Sequence, residues 1–350
     1  MARRKVRIGV AGLGRIGWKW HCAELDRHAG FDLVAVQDVV PDRLQEAEQT
    51  YGVAAYADFA EMLAEARLEA VTIATPSHLH AEMARQALAA GCHVMVEKPM
   101  AVDSREAAGM ARAAARSGRI LTVYQSLRAF AYWQHLQALL ATGLVGQVYQ
   151  VRLANYRFVR RDDWQSLTRY GGGILNNAGS HLLDQLLQVI GYDVARVYGN
   201  LKRIATLGDA EDFVKMVVET KRGVIGELDI NSACPVVGPP LQVWGTRGTI
   251  TLAPDQTSFS IATFQPEGLP EKHLQRGLAS RDRRYPNDEI PVEETVVPVE
   301  AKYEVDIYAR FAKAIRTGST PFVQPEEPLA VMKLIDRCRA ENGRVQRLRL

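Results

Sequence analysis

Val6-Arg7-Ile8-Gly9-Val10-Ala11-Gly12-Leu13-Gly14-Arg15-Ile16-Gly17 reads as a buried strand, a glycine turn and the start of a helix. Val6, Ile8 and Val10 supply β-branched residues for the strand, and Gly12-x-Gly14-x-x-Gly17 has the spacing of a dinucleotide-binding turn. In such a turn the first glycine permits the tight bend. The second lets backbone N–H groups, here around Arg15 and Ile16, approach a pyrophosphate, and the third lets the helix lie close to the strand. The phosphates would sit at the positive end of that helix. Three spaced glycines alone are weak evidence, because any strand-to-helix turn can use them.

Context strengthens the reading. A second β-rich run, 31–38, ends in Asp38, 21 positions after Gly17, where a Rossmann unit places the carboxylate that holds the adenosine ribose hydroxyls. Asp38 could instead simply start a turn before Pro41. A carboxylate there favours NAD over NADP, since it repels a 2′-phosphate and Val39-Val40 supplies no adjacent arginine, although Arg43 lies close by. Helices over 41–52, 59–66, 78–90 and one closing at Gly118 alternate with short apolar strands at 55–57, 70–74, 93–97 and 120–124. This alternation predicts an α/β, doubly wound parallel sheet over residues 1–124.

From 125 to 350 the pattern changes. A helix over 133–141 leads into β-rich runs at 148–158, 196–204, 213–220, 223–230 and 241–245, interrupted by one strong helix over 177–190. Few crossover helices among many strands imply an α+β domain with a large, mostly antiparallel open sheet. Residues 265–300, rich in Pro, Arg and Glu, read as an excursion, and 303–316 and 328–340 as closing helices.

Bulk properties exclude several classes. With 43 basic and 40 acidic residues in 350, the net charge of +3 gives no nucleic-acid surface. No apolar run approaches the roughly 18 residues of a membrane span, and the chain enters its first strand without a signal-peptide core, so a cytoplasmic protein is expected. Cys22, Cys92, Cys234 and Cys338 are scattered without CxxC spacing, which indicates reduced thiols and no metal site.

In an open α/β sheet, ligands bind beyond the carboxyl ends of the strands. That draws attention to Thr75, Pro76 and His80 after one strand, and to Glu97-Lys98-Pro99 after the next. Lys98, held extended before proline, would point a cation into the crevice; a surface lysine would look the same. Glu97 is a cap or an ion-pair partner, and His80 also fits an ordinary helix face. In Gly171-Gly172-Gly173-Ile-Leu-Asn176-Asn177-Ala-Gly179-Ser180-His181-Leu-Leu-Asp184, helical spacing places Asn177, His181 and Asp184 on one face. The glycines would let the chain approach a ligand or a neighbouring backbone. A flexible entry loop before a buried, satisfied histidine is the alternative.

Taken together, Gly12-Leu-Gly-Arg-Ile-Gly17, Thr75-Pro76-x-x-x-His80, Glu97-Lys98-Pro99, the Gly171 to Asp184 segment and Trp244-Gly-Thr-Arg-Gly-Thr-Ile250 resemble the glucose-fructose oxidoreductase, inositol dehydrogenase and MocA (Gfo/Idh/MocA) family across essentially the whole chain. The resemblance implies a Rossmann domain and hydride transfer between NAD(P) and a sugar or polyol carbon. It also implies a second domain whose sheet face forms homodimers or homotetramers. By the same resemblance Lys98 lies near the nicotinamide and His181 transfers the proton, roles suited to a cation that stabilises an alkoxide and to an imidazole that titrates near neutrality. The chain departs from the family at Asn177, where many members carry Asp. An amide can orient a substrate but cannot act as a base. Asp184 could then orient His181, or His181 and Lys98 suffice, or the reaction differs. The other reactions considered are reduction of an aldehyde, imine or cyclic sugar derivative, and the chain could also be a non-catalytic nucleotide-binding sensor or scaffold. Tyr124, Arg128, Tyr156, Arg157 and Trp164 are further candidates for the substrate pocket, each of which reads equally well as a structural residue.

Overall fold

The computed structural model describes residues 4–278, 281, 290–342 and 345–348. The first sheet contains β1 (Val6–Ala11), β2 (Phe31–Gln37), β3 (Ala54–Tyr56), β4 (Ala70–Ile73), β5 (His93–Glu97) and β6 (Leu121–Tyr124). They are all parallel, in the order β3-β2-β1-β4-β5-β6, so the order reverses beside β1 and opens a crevice there. β4 is buried along its whole length, as expected of a parallel strand covered on both faces.

Among the described residues the second sheet has nine strands: β7 (Val148–Tyr156), β8 (Val194–Arg203), β9 (Phe213–Thr220), β10 (Ile225–Asn231), β11 (Leu241–Gly245), β12 (Gly248–Leu252), β13 (Ser258–Thr263), β14 (Glu293–Pro298) and β15 (Gln346–Arg347). Their order is β14-β13-β12-β11-β7-β10-β9-β8-β15, antiparallel except for the β7/β10 and β8/β15 pairs. The Gly245 to Gly248 turn is a tight hairpin between β11 and β12. The helix Ser180–Ile190 lays Leu182, Leu183, Leu186, Leu187 and Ile190 into the core that also holds Val151, Leu153, Leu228 and Ile230. The alternate residues of these strands present a polar face, with Lys215 Nζ donating to Glu227 at 2.8 Å and Asp229 at 3.2 Å.

Two features differ from the sequence reading. Part of the 265–300 stretch forms β14, which pairs antiparallel with β13, while 279–280 and 282–289 lie outside the described residues. The helix Ile307–Thr317, grouped by sequence with the second domain, returns to the first. Its stripe of Ile307, Tyr308, Phe311 and Ala312 is buried with Val6, Ile8 and Phe31, and the Phe31 and Phe311 rings stack at 5.8 Å. Its apolar stripe marks it as a packed helix, but which sheet it covers is decided by chain return. Among the described residues, no helix is long and apolar enough to cross a membrane.

Candidate active site

The glycine turn is shaped by contacts within the protein at two positions and by open space at the third. Gly12 sits at φ +91°, and a Cβ there would lie 2.8 Å from the backbone of Ala74 at the end of β4. At Gly17 a Cβ would collide with the carbonyl oxygen of Gly12. At Gly14 a Cβ would meet no heavy atom within 4 Å. The protein itself therefore does not need glycine at 14, and the space in front of it forms part of a cavity of about 840 Å³ lined by Gly14, Arg15, Ile16, Asp38, Thr75 and Pro76. This open cradle at a helix start, with a carboxylate at its far end, fits a dinucleotide.

Asp38 is buried and built in. Its carboxylate accepts from the Leu13 N–H at 2.7 Å and the Val40 N–H at 2.9 Å, and Arg43 approaches both oxygens at 3.3 and 3.4 Å. Arg43 thus lines the cavity beside Asp38, five residues beyond the acid. His80, expected among the cofactor contacts, is fully buried with Nδ1 2.9 Å from the Pro99 carbonyl and Nε2 2.9 Å from the Thr75 carbonyl. Both ring nitrogens face backbone carbonyls, to one of which the neutral imidazole donates, so His80 ties the two strand-end loops together and turns neither nitrogen to a ligand.

Lys98 leaves the end of β5 and its Nζ donates to Asn177 Oδ1 at 2.8 Å and to the Asn177 carbonyl at 3.2 Å. Burial lowers its pKa, Glu97 opposes the shift, and Arg161, Arg157 and Arg15 add to it. One turn beyond Asn177, His181 places Nδ1 2.9 Å from Gln125 Oε1. The amide oxygen can only accept, so Nδ1 carries the proton and Nε2 presents a lone pair. Burial, with the positive charge of Lys98, holds the His181 pKa well below its ordinary 6.5. An uncharged imidazole whose Nε2 has no hydrogen-bond partner among the described residues, near an ammonium, is an arrangement able to take a proton from a hydroxyl and stabilise the resulting oxyanion.

Behind Lys98 lies a buried chain of polar groups. Burial opposes ionisation of Glu97, but His21 Nε2 at 3.0 Å and the Lys98 charge hold its pKa below the usual carboxylate range. Glu97 Oε2 also accepts from the Lys98 backbone N–H at 3.0 Å, and His21 Nδ1 is 2.8 Å from Tyr308 Oη. Glu97 therefore anchors Lys98 from inside rather than facing the cavity. Sequence reasoning missed this use of His21 and Tyr308, and missed Gln125, although the position of Gln125 directly after β6, on the ligand side of the sheet, was a usable signal.

Asp184 does not orient His181. Buried to 1% exposure, it receives Arg128 Nε at 3.0 Å and Nη2 at 2.6 Å, and Gln188 Nε2 at 3.1 Å. Arg128 spends its remaining nitrogen on Glu327 Oε2 at 2.8 Å, so neither residue belongs to a substrate pocket. The wide turn over Leu175–Gly179 keeps Asn177 and His181 toward the cleft while Asp184 turns inward. Gly172 and Gly173 serve neighbouring chain: a Cβ on Gly172 would lie 2.6 Å from the carbonyls of Gln165 and Leu167, and one on Gly173 would strike the Glu211 carboxylate. Tyr124 packs edge-on to His21 at 4.7 Å and lines a separate cavity with Lys19 and Glu24. Tyr156 lies against Arg152, whose Nη2 donates to its hydroxyl. Trp164 lines the dinucleotide cavity itself. Glu24, His28 and Asp306 bring their side chains within 4.8 Å of one another. Protein contacts account for them, since His28 Nδ1 accepts from the Gly30 N–H, Asp306 caps Ile307–Thr317, and Glu24 pairs with Arg27.

A glycine cradle and a buried carboxylate on a doubly wound sheet, with Lys98 held by Asn177 one helical turn from His181, fit a nicotinamide-dinucleotide oxidoreductase. The chain matches the model of an oxidoreductase family with an NAD-binding Rossmann fold over residues 6–125, and that of the GFO/IDH/MocA C-terminal domain over 133–251. It belongs to the GFO/IDH/MocA family. Among its relatives is D-glucoside 3-dehydrogenase of Escherichia coli, 29% identical over 65% of this chain and 64% of that one. The scyllo-inositol 2-dehydrogenase (NADP(+)) IolW of Bacillus subtilis is 26% identical over 95% and 94%. An NAD-binding protein from Listeria innocua, 24% identical over 97% of both chains, has the same fold with a TM-score of 0.82.

Proposed function

We propose that this protein is an NAD-dependent dehydrogenase or reductase that transfers a hydride to or from a CH–OH carbon of a sugar, polyol or related small polar molecule. The observation that carries the proposal is the meeting of Lys98 Nζ with Asn177 Oδ1 at 2.8 Å, one helical turn from a histidine whose Nδ1 is committed to Gln125. When bound, the nicotinamide accepts or returns the hydride. His181 Nε2 takes the hydroxyl proton as the alcohol is oxidised, and Lys98 stabilises the negative charge that develops on that oxygen. Asn177 fixes the Lys98 ammonium and leaves the base role to His181 alone. In the reducing direction His181 Nε2 returns the proton to the oxygen while the Lys98 charge again stabilises it. The names of the glucoside and inositol dehydrogenase relatives support a sugar or polyol substrate.

The preference for NAD rests on Asp38, whose two backbone hydrogen bonds hold a carboxylate where a 2′-phosphate would need to sit. The Bacillus subtilis relative is named for NADP(+), and Arg43 is the residue through which this chain would share that preference. Titration of nicotinamide fluorescence with NADH and NADPH tests it, and tighter binding of NADPH would overturn it. The polar face of the second sheet is the proposed surface for self-association, tested by light scattering. For the chemical step, a polyol and sugar panel followed at the nicotinamide absorbance identifies a substrate. The role assignment fails if His181→Ala and Lys98→Met both keep wild-type turnover on it.

A further inference from the structure

On the second-domain side of Asn177 lies a small cavity whose lining includes Arg157, Arg161, Gln165, Glu211 and Asp212. Its two carboxylates are already engaged. Asp212 accepts from the N–H groups of Ile204, Ala205 and Thr206, each at 2.7 Å, and Glu211 accepts from the Leu175 N–H at 3.1 Å and faces Arg339 at 3.7 Å. Arg161 is paired with Asp163 at 3.2 Å and also donates to Gln165. Arg157 has no such partner. Its Nε is buried without a hydrogen bond, and among the described residues no carboxylate pairs with it. Burial and the neighbouring Arg161 both act against its charge, and the same two arginines act against the charge of Lys98.

A half-buried guanidinium beside like charges, with its buried Nε unpaired, is unfavourable unless something anionic completes it. The cofactor's phosphates are a poor account of it. The glycine cradle and Arg15 line the dinucleotide cavity, whereas Arg157 lines a second, smaller cavity, which meets the first at Gln165 and which it shares with Asn177, the residue that holds Lys98. We propose that the substrate of the Lys98–His181 site is an acidic sugar or polyol, whose carboxylate or phosphate docks on Arg157 with Arg161 beside it. Arg157 is then the specificity-determining residue, and its fork geometry suits bidentate capture of either group. This inference rests on the hydride-transfer reading above, because it adds an anion to the substrate of that site.

The test is a titration of the NADH-loaded protein at constant ionic strength, read by nicotinamide fluorescence. The charged probes are D-gluconate, D-glucuronate and D-glucose 6-phosphate; the neutral probes are D-glucose, D-glucitol and myo-inositol. At least one charged probe should bind about tenfold or more tightly than its neutral counterpart, the scale of a charge-assisted hydrogen bond. Carboxylates and phosphate are distinguished by which of the three succeeds. Arg157→Gln should abolish the preference without changing NADH affinity, and Arg157→Lys should restore part of it. The proposal is overturned if neutral probes bind as tightly as charged ones, if no charged probe binds, or if Arg157→Gln weakens NADH and leaves the preference intact. Failure of the hydride-transfer reading is seen separately, as absence of NADH binding in the first step of the titration, or as absence of any rise in nicotinamide absorbance when a probe that binds is given to the NAD+-loaded protein.

Discussion

At the scale of single residues, His181 depends on the company it keeps. Gln125 fixes its tautomer and burial keeps it uncharged, so the acid limb of the oxidation rate should fall well below the ordinary imidazole value of 6.5. A rate profile breaking above that value would contradict this account. Replacing His181 by Ala should lower turnover by about 10²- to 10⁴-fold, the usual worth of general base catalysis, with NADH binding retained. Asp184 provides the contrast. Asp184→Ala strands Arg128 in the interior and should cost about 3–5 kcal/mol in denaturant unfolding, while the pH of the acid limb in the folded enzyme stays put. A shift of that limb would mean that Asp184 tunes His181 after all.

At the scale of elements, the glycine turn separates two uses of one residue type. Gly17→Ala must push its methyl into the Gly12 carbonyl and should lower stability sharply, visible as a depressed melting temperature. Gly14→Ala meets nothing in the protein. It should melt like the wild type but bind NADH more weakly, because the added methyl stands where the pyrophosphate approaches. Equal NADH affinities for Gly14→Ala and wild type would show that the cofactor does not use this cradle. The triple glycine at 171–173 belongs with Gly17, since the close neighbours of Gly172 and Gly173 are the 165–167 backbone and Glu211.

For the whole molecule, the helix Ile307–Thr317 ties the end of the chain to the first sheet. Phe311→Ala removes a buried ring stacked on Phe31, which should cost about 3–5 kcal/mol. Hydrogen exchange should report the loss in β1 and β2 rather than in the second sheet. Stability should also depend on pH through His80 and His181. Burial lowers the pKa of both His80 and His181 below 6.5, so below that value the unfolded chain binds protons that the folded chain does not. Stability is therefore fully present above 6.5 and is lost on acidification through the depressed folded values. Thermal melts between about pH 7.5 and about pH 5 should show a shallower slope for His80→Gln than for the wild type.

The sequence by itself determined what local spacing can encode: the strand, turn and helix around Gly12 to Gly17, the acid at the end of β2, the parallel alternation of the first domain, and the positions of Lys98 and His181 at element ends. These follow from periodicity and from the conformations that glycine and proline allow. Contacts between distant segments were decided only by tertiary structure. Asp184 shares helical spacing with Asn177 and His181, yet the wide turn before it and the buried Arg128 claim it for the core. His80 and Glu97 sit at the ligand end of the sheet, yet both turn inward to bind backbone or His21. Gln125 and Tyr308 take their meaning from partners at least 56 residues away in the chain, and Arg157 from a buried Nε that finds no hydrogen-bond partner among the described residues. A linear pattern records which face a side chain occupies; which charge or carbonyl waits there is set when the two sheets close on each other.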